Sequence, residues 1–149
     1  MRSQGKDIKG ATLSKFCLAG TLTAAGTGDA TLITGDSINI GALAARPASV
    51  VFEIAGRAVL AATKTLVIAA LVEGSVDGST WTTLIASSTV LTLTSASGST
   101  EVGVGRIGVD LIQADLNYIR LKATPDLNAS GTDTAIVAAV AVFGTPAKT

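Results

Sequence analysis

The stretch from Lys64 to Trp81 constrains the fold of this chain more than any other part of the sequence. Its first half is almost wholly apolar, and the chain then passes through Asp77-Gly78 to its single tryptophan. This pattern predicts a strand with two apolar faces, a tight Asp-Gly turn, and a second strand that Trp81 anchors in the core. An antiparallel strand of a small isolated domain usually keeps one polar face toward water. We therefore expect cover on both sides of this strand, either from a second sheet or from another copy of the chain.

Alternation divides the residues of this strand between two faces. One face would hold Leu66, Ile68, Ala70 and Val72. The segment 135–143 is likewise apolar on both faces. Such strands would supply packing between sheets and between subunits, and the candidates for subunit packing are Val67, Ala69, Leu71, Val137, Ala139 and Ala141.

Period-two patterns recur from about residue 13 to residue 143, with turn residues between them. The clearest are 49–54, which places Val50, Phe52 and Ile54 on one face, and 118–124, where Ile119, Leu121 and Ala123 would point inward. Weaker strands are predicted at 13–23, 30–34, 37–41, 58–62, 81–86, 89–94 and 101–106, and Pro125 should end the strand that precedes it. No segment keeps a helical period over any length. We therefore expect an all-β, single-domain antiparallel β-sandwich of the jelly-roll type.

Charged residues make up 15% of the chain, against about 25% in a typical soluble domain. A surface so poor in charge indicates that a partner covers part of it. The formal net charge is zero, with 11 basic and 11 acidic residues, which gives no reason to expect nucleic-acid binding. No apolar run is long enough to cross a membrane, and the start of the chain does not match a signal peptide.

The basic residues are concentrated near the start of the chain. We expect residues 1–19 to form a basic N-terminal arm and residues 20–149 to form the sandwich domain. The arm would be either a solvated tail or a segment that orders on an acidic partner surface. Its candidate partner-binding residues are Arg2, Lys6, Lys9 and Lys15.

The sequence offers little material for catalysis. It contains no histidine and a single cysteine, Cys17, so a Ser/His/Asp or Cys/His catalytic set cannot be assembled. We expect no enzymatic activity, no cofactor and no metal site. A calcium site at Asp29, Asp36, Asp126 and Asp133 is a weaker alternative, because no segment has the spacing of a calcium loop. Aspartates that cap turns explain these residues equally well.

The segment from Ser75 to Trp81 is similar to the Asp-box turn of propeller blades and of some carbohydrate-binding proteins, but is one residue shorter. A hairpin turn explains Asp77-Gly78 without any ligand. A sugar-stacking role would require an exposed Trp81 ring, and a nearby Tyr118 would strengthen it.

Several short motifs occur together in a particular order: residues 61–66, 73–81, 108–111 and 117–126, closing with 130–135. In this order the chain resembles the capsid decoration proteins, also called cement proteins, of tailed bacteriophages. The resemblance covers roughly residues 20–144. It implies a jelly-roll-like domain that forms a homotrimer and no catalytic residues. It also implies a position on the outer face of an icosahedral head, where the protein binds the major capsid protein after synthesis in the host cytoplasm and stabilises contacts between capsomers.

Two other functions remain open at the level of sequence. One is a phage tail, fibre or head-spike module, which would bind a receptor or a tail component and not the capsid shell. The other is a carbohydrate-binding jelly-roll domain, for which an exposed Trp81 would be the distinguishing feature.

Overall fold

The computed structural model describes residues 13–43, 46–112, 115–128 and 131–144. These residues form nine β-strands and no helix. The strands are β1 (Leu13–Thr23), β2 (Ile33–Thr34), β3 (Ile38–Asn39), β4 (Ser49–Leu60), β5 (Thr65–Ser75), β6 (Thr82–Thr94), β7 (Ser99–Asp110), β8 (Tyr118–Leu127) and β9 (Thr134–Gly144). No helix among the described residues is long and apolar enough to cross a membrane.

The strands form two antiparallel sheets that pack face to face. Sheet A has the order β1-β9-β4-β7, and sheet B has the order β2-β8-β5-β6. Strand β3 also pairs with β8, further along from β2, so the two short strands together occupy one position of sheet B. The chain crosses between the sheets at most of its connections, which is the wrapping of a jelly roll. The predicted all-β jelly-roll-like sandwich is confirmed.

The core lies between the sheets and is built from alternate residues of the long strands. Strand β5 contributes Leu66, Ile68, Ala70 and Val72, which are all fully buried. The central strands β4, β8 and β9 contribute their own alternate residues, and these include Phe52, Ile54, Ile119, Leu121, Ala123, Val137 and Ala141. The faces predicted for 49–54, 66–72 and 118–124 are therefore confirmed.

Several predicted strand limits were wrong. Segment 58–62 is not a separate strand, because residues up to Leu60 continue β4. Segments 81–86 and 89–94 form one strand, β6, whose three register shifts against β5 hide the continuity in its polarity pattern. By contrast, β1 (Leu13–Thr23) matches the strand predicted at 13–23, and residues 13–19, which the predicted arm also included, form the first part of sheet A.

The connection between β5 and β6 is wider than the tight turn predicted from Asp77-Gly78. Six residues, 76–81, separate the two strands. Gly78 adopts a left-handed backbone conformation with φ of 76°. Trp81 is the last residue of this loop and is only half-buried, so the prediction that it anchors the returning strand in the core was wrong.

Pro125 lies inside β8, although the sequence predicted that it would end the strand. Its carbonyl accepts a hydrogen bond from the amide of Ala30, three residues before the start of β2. The amide and carbonyl of one residue in an antiparallel strand point to the same neighbour. The missing N–H of Pro125 therefore lies on the side where the ladder with β2 has already ended, and the pairing with β5 is not broken.

Glycine lets β7 approach β6 where the chain passes from one sheet to the other. A Cβ atom at Gly105 would overlap the carbonyl group of Val90, and one at Gly103 would lie 2.8 Å from a methyl carbon of Leu93. The Val90 carbonyl belongs to the backbone and cannot rotate away. This edge of the sandwich is closed by direct contact between main chain and side chains.

We predict that Gly105→Ala lowers the free energy of unfolding by about 1–3 kcal/mol, because the new methyl group must displace the β6 backbone. Gly108→Ala in the same strand is the matched control, since its Cβ would meet only Val51 Cγ2 at an ordinary 3.6 Å and the Val50 carbonyl oxygen at 3.7 Å. Urea denaturation of both variants measures the difference. Equal stabilities would show that β6 and β7 are not in close contact.

Candidate functional site

The outward-facing side of sheet A is unusually apolar. Residues on this side, which we call the outer A face, are the apolar and charged side chains Phe16, Ala19, Val51, Glu53, Ala55, Arg57, Val59, Val102, Val104, Arg106, Ile136, Ala138, Val140 and Val142, together with Gly108 and the small polar residues Ser14, Thr21, Thr23, Thr100 and Thr134. Several large side chains there are mostly in solvent: Val102 is 69% exposed, Phe16 61% and Ile136 51%. Single exposed apolar residues are ordinary, but a contiguous patch usually marks an interaction site.

Pairing between strands arranges these residues in rows across the sheet. The middle row runs Ala19, Ala138, Ala55 and Val104. It consists almost entirely of small side chains, and the rows on either side contain larger ones such as Phe16 and Ile136. The outer A face therefore has a shallow band across its centre where another flat surface could approach closely.

Only three charged side chains interrupt the outer A face. Glu53 Oε1 accepts a hydrogen bond from Arg106 Nε at 2.9 Å, and both side chains are exposed. Arg57 lies between Ile136 and Val102 and makes no hydrogen bond or ion pair with any residue that the structure describes. The outer A face thus carries one ion pair within the chain, between Glu53 and Arg106, and one cation, Arg57, whose neighbours on the adjacent strands are apolar.

The outward-facing side of sheet B, the outer B face, has a different chemistry. Glu73 of β5 lies opposite Arg120 of β8, and it contacts Arg120 Nη2 at 2.6 Å and Lys122 Nζ at 3.0 Å. The three side chains are each less than 20% exposed. Their charges are therefore largely satisfied by each other, and they are poorly placed to capture a charged partner.

Trp81 completes this ionic cluster. The guanidinium carbon of Arg120 lies 3.9 Å from the centre of the Trp81 ring, which is a cation–π contact. One face of the indole is therefore covered by Arg120. The arrangement holds the 76–81 loop against β8, and it leaves less of the ring available for stacking on a sugar than the sequence alone would allow.

Two opposing effects act on the pKa of Glu73. Partial burial raises the pKa, and the hydrogen bonds and charges of Lys122 and Arg120 lower it; the net result is a pKa below the usual value. The carboxylate is thus ionised at neutral pH and stabilises the folded state. This contribution is present above the unfolded pKa and is lost as the pH falls through the lower folded pKa.

The 76–81 loop is organised by Asp77. Its carboxylate accepts hydrogen bonds from the Thr80 and Ser79 amides at 2.8 and 2.9 Å and from the Ser75 hydroxyl at 3.0 Å. These bonds, first of all those from the backbone of Thr80 and Ser79, lower the pKa of Asp77 well below its usual range. The loop borders an open polar depression of about 370 Å³ that is also lined by Asn117 and Tyr118.

The aspartates considered for calcium are not gathered into a site. Asp29 accepts hydrogen bonds from the backbone amides of Ala25 and Leu127, and Asp133 accepts from the amide of Ala61. Both carboxylates cap the main chain. Among the described residues no group of three or more potential metal ligands comes together.

Cys17 is buried at a bulge in β1, where it lies 3.5 Å from the Ala139 carbonyl. Burial raises the pKa of its thiol to about 11. The thiolate, which is the reactive form, is therefore scarce near neutral pH.

The structure separates the residues predicted for subunit packing. Val67, Ala69 and Leu71 lie half-buried on the outer B face. Val137, Ala139 and Ala141 are buried between the sheets, where they pack within the chain. The residues of β9 that alternate with them point the other way and reach the outer A face; these are Ile136, Ala138, Val140 and Val142.

The residues predicted for the arm are only partly described. Arg2, Lys6 and Lys9 lie outside the described residues. Lys15 is exposed in β1, opposite Ala141 of β9. Residues 145–149 also lie outside the described part of the chain.

Comparison with known proteins gives a likeness of fold. No protein-family model matches the chain, and no curated protein matches it significantly. In the structure of infectious bursal disease virus strain Gx, a chain superposes with a TM-score of 0.51 at 12% identity, covering 93% of this chain and 34% of that one. In the structure of strain Gt, a chain superposes with a TM-score of 0.51 at 17% identity, covering 90% of this chain and 33% of that one. In the structure of T=1 particles derived from this virus, a chain superposes with a TM-score of 0.50 at 14% identity, covering 90% of this chain and 31% of that one. This chain thus spans about a third of the length of the chains it matches, and the likeness establishes the jelly-roll fold.

We predict that Glu73→Gln lowers the free energy of unfolding at pH 7 by about 1–3 kcal/mol, because Arg120 and Lys122 lose their counter-charge while they remain largely buried. The difference from wild type should shrink at acid pH, starting where Glu73 of the unfolded chain takes up a proton and continuing as the pH falls through the lower pKa of the folded state. Chemical denaturation at pH 7 and at pH 3.5 measures both effects. A difference that does not depend on pH would contradict the electrostatic explanation.

Proposed function

We propose that this chain is a structural protein of a virion, and specifically a capsid decoration protein that binds the outer surface of an icosahedral phage head. The observation that carries this proposal is the jelly-roll fold, which the chain shares with chains of virus particles. The ordered motifs between residues 20 and 144, which resemble those of phage cement proteins, support the more specific role. The charge-poor surface and the apolar outer A face also fit a protein that works in an assembly.

A decoration protein acts by resisting the separation of neighbouring capsomers. Each contact with the shell can be weak if several are joined in one oligomer, because the first contact raises the effective concentration of the others. We propose the major capsid protein as the partner and, as the resemblance implies, a homotrimer as the bound form. The protein would be made in the host cytoplasm and would act on the outer face of the assembled head.

The contact with the shell is assigned to the basic residues near the start of the chain. Arg2, Lys6 and Lys9 precede β1, and Lys15 is exposed within it. An acidic capsid surface would attract these side chains, and the attraction would weaken with salt. The ionic cluster of the outer B face is a poorer candidate, because its charges are already paired.

We predict that the purified protein cosediments with phage heads that lack it, and that replacing Arg2, Lys6 and Lys9 by glutamine weakens this binding by about tenfold. Binding of the variant to the heads should also depend less on salt concentration than binding of wild type, because fewer charges take part in the contact. Thermal unfolding of the variant should match wild type, since these residues precede β1.

Lys64→Gln serves as the matched control, because it removes a basic residue from the connection between β4 and β5 and leaves the arm unchanged. Binding to isolated tails or fibres, with none to heads, would replace the proposal by the tail, fibre or spike function. Binding only to glycans would favour the carbohydrate-binding alternative.

A further inference from the structure

We propose that the outer A face packs against the same face of a second copy of this chain, in an antiparallel two-fold contact centred on Ala55. Self-association through this face does not depend on the proposed role in a virion. Its starting point is an apolar surface, spread over four strands, that nothing in the described part of the chain covers.

The face has the size that a specific interface needs. Four strands about 4.8 Å apart, crossed by five rows about 6.8 Å apart, give a surface of about 500 Å². If two copies bury this surface against each other, about 1,000 Å² is removed from water. Specific protein interfaces begin at about this size, whereas most crystal-packing contacts are smaller.

The parts of the chain outside the described residues are unsuited to cover this face. Residues 1–12 carry Arg2, Lys6, Asp7 and Lys9 and contain only scattered apolar side chains. Residues 145–149 are five in number and include Lys148. Neither segment carries enough apolar side chains to bury a surface that extends over four strands, which favours another molecule as the cover.

The charges on the face favour a second copy as that molecule. Glu53 and Arg57 lie two residues on either side of Ala55 in β4, and all three point outward. Consider a two-fold axis that lies in the plane between the two sheets, runs perpendicular to the strands and passes between the two Ala55 residues. It places Glu53 of each copy over Arg57 of the other. Arg57, which has no partner among the described residues, then gains one, and Glu53 can accept through the oxygen that Arg106 does not use.

The geometry of sheet packing allows these pairs to form. Glu53 and Arg57 each lie about 6.8 Å from Ala55 along the strand, and packed sheets are about 10 Å apart. Stacked sheets cross at about 30°, which displaces the two charged groups sideways by about 3.5 Å. Glutamate and arginine side chains can together span these distances. The small residues of the middle row, Ala19, Ala138 and Ala55, let the two sheets come together at the axis.

A two-fold contact gives an assembly with an even number of chains. It can coexist with the three-fold association that the resemblance implies, as a pair of trimers, or it can produce a simple dimer. An isolated trimer would not contain it. The copy number of the free protein therefore separates this proposal from the proposed function, which an isolated trimer would leave intact.

The first test is the mass of the purified full-length protein in solution, measured by sedimentation equilibrium. We expect an even copy number for wild type. Ala55→Asp should raise the dissociation constant at least about tenfold, because it places two unpaired carboxylates at the axis. Thr92→Asp, an exposed position of β6 on the outer B face, is the matched control and should keep the wild-type mass.

The second test uses the predicted charge pairs and requires only substitutions on the surface. Glu53→Lys alone places an ammonium group opposite the partner's Arg57, and Arg57→Glu alone places a second carboxylate opposite the partner's Glu53. Each variant should therefore associate at least about tenfold more weakly than wild type. In an equimolar mixture, pairs of unlike variants relieve this repulsion by restoring a contact between Glu53 and Arg57 and adding one between the two introduced side chains. The mixture should therefore recover the wild-type copy number.

Three results would overturn the proposal. They are a monomeric or trimeric wild type at tens of micromolar, an Ala55→Asp variant that is folded and keeps the wild-type mass, or a mixture of the charge variants that associates no better than either alone. If Ala55→Asp fails to fold, the two charge variants and their mixture decide the question.

Discussion

The contact between two sheets made of small and branched side chains is the interaction on which the rest of this structure depends. With few aromatic residues available, the core is filled by alternate residues of long strands and by direct approach of the main chain, as at Gly105 beside Val90. Such packing is tight and regular. It brings both outer faces to the surface as flat arrays of side chains, and these arrays are where the molecule can meet a partner.

The two outer faces differ in what they offer. On the outer B face, Glu73, Arg120 and Lys122 neutralise each other, and Arg120 also lies on Trp81. On the outer A face most side chains are apolar and Arg57 has no partner among the described residues. The outer B face therefore has the character of a solvent-facing surface, and the outer A face has the character of an interface. This difference fits a protein that functions as part of an assembly.

The sequence predicted the fold class well and the surfaces less well. Strict alternation with polar residues, as in the strand that contains Leu121, identifies the inner face directly. Strand β9 is apolar on both sides, so its sequence pattern does not show which of the two alternating sets of residues points outward. Val137 was therefore assigned to subunit packing, although it is buried between the sheets. Trp81 was placed in the core because nothing local indicates its contact with Arg120, which belongs to a strand much further along the chain. Such contacts arise from strand pairing and are not visible in a short window.

The central proposal is that this protein is a structural component on the outside of a phage head. Gold-antibody labelling of purified phage particles, viewed by electron microscopy, tests it most directly. The account predicts label distributed regularly over the head. Label confined to the tail or to a single vertex, or absent from the particles, would contradict it.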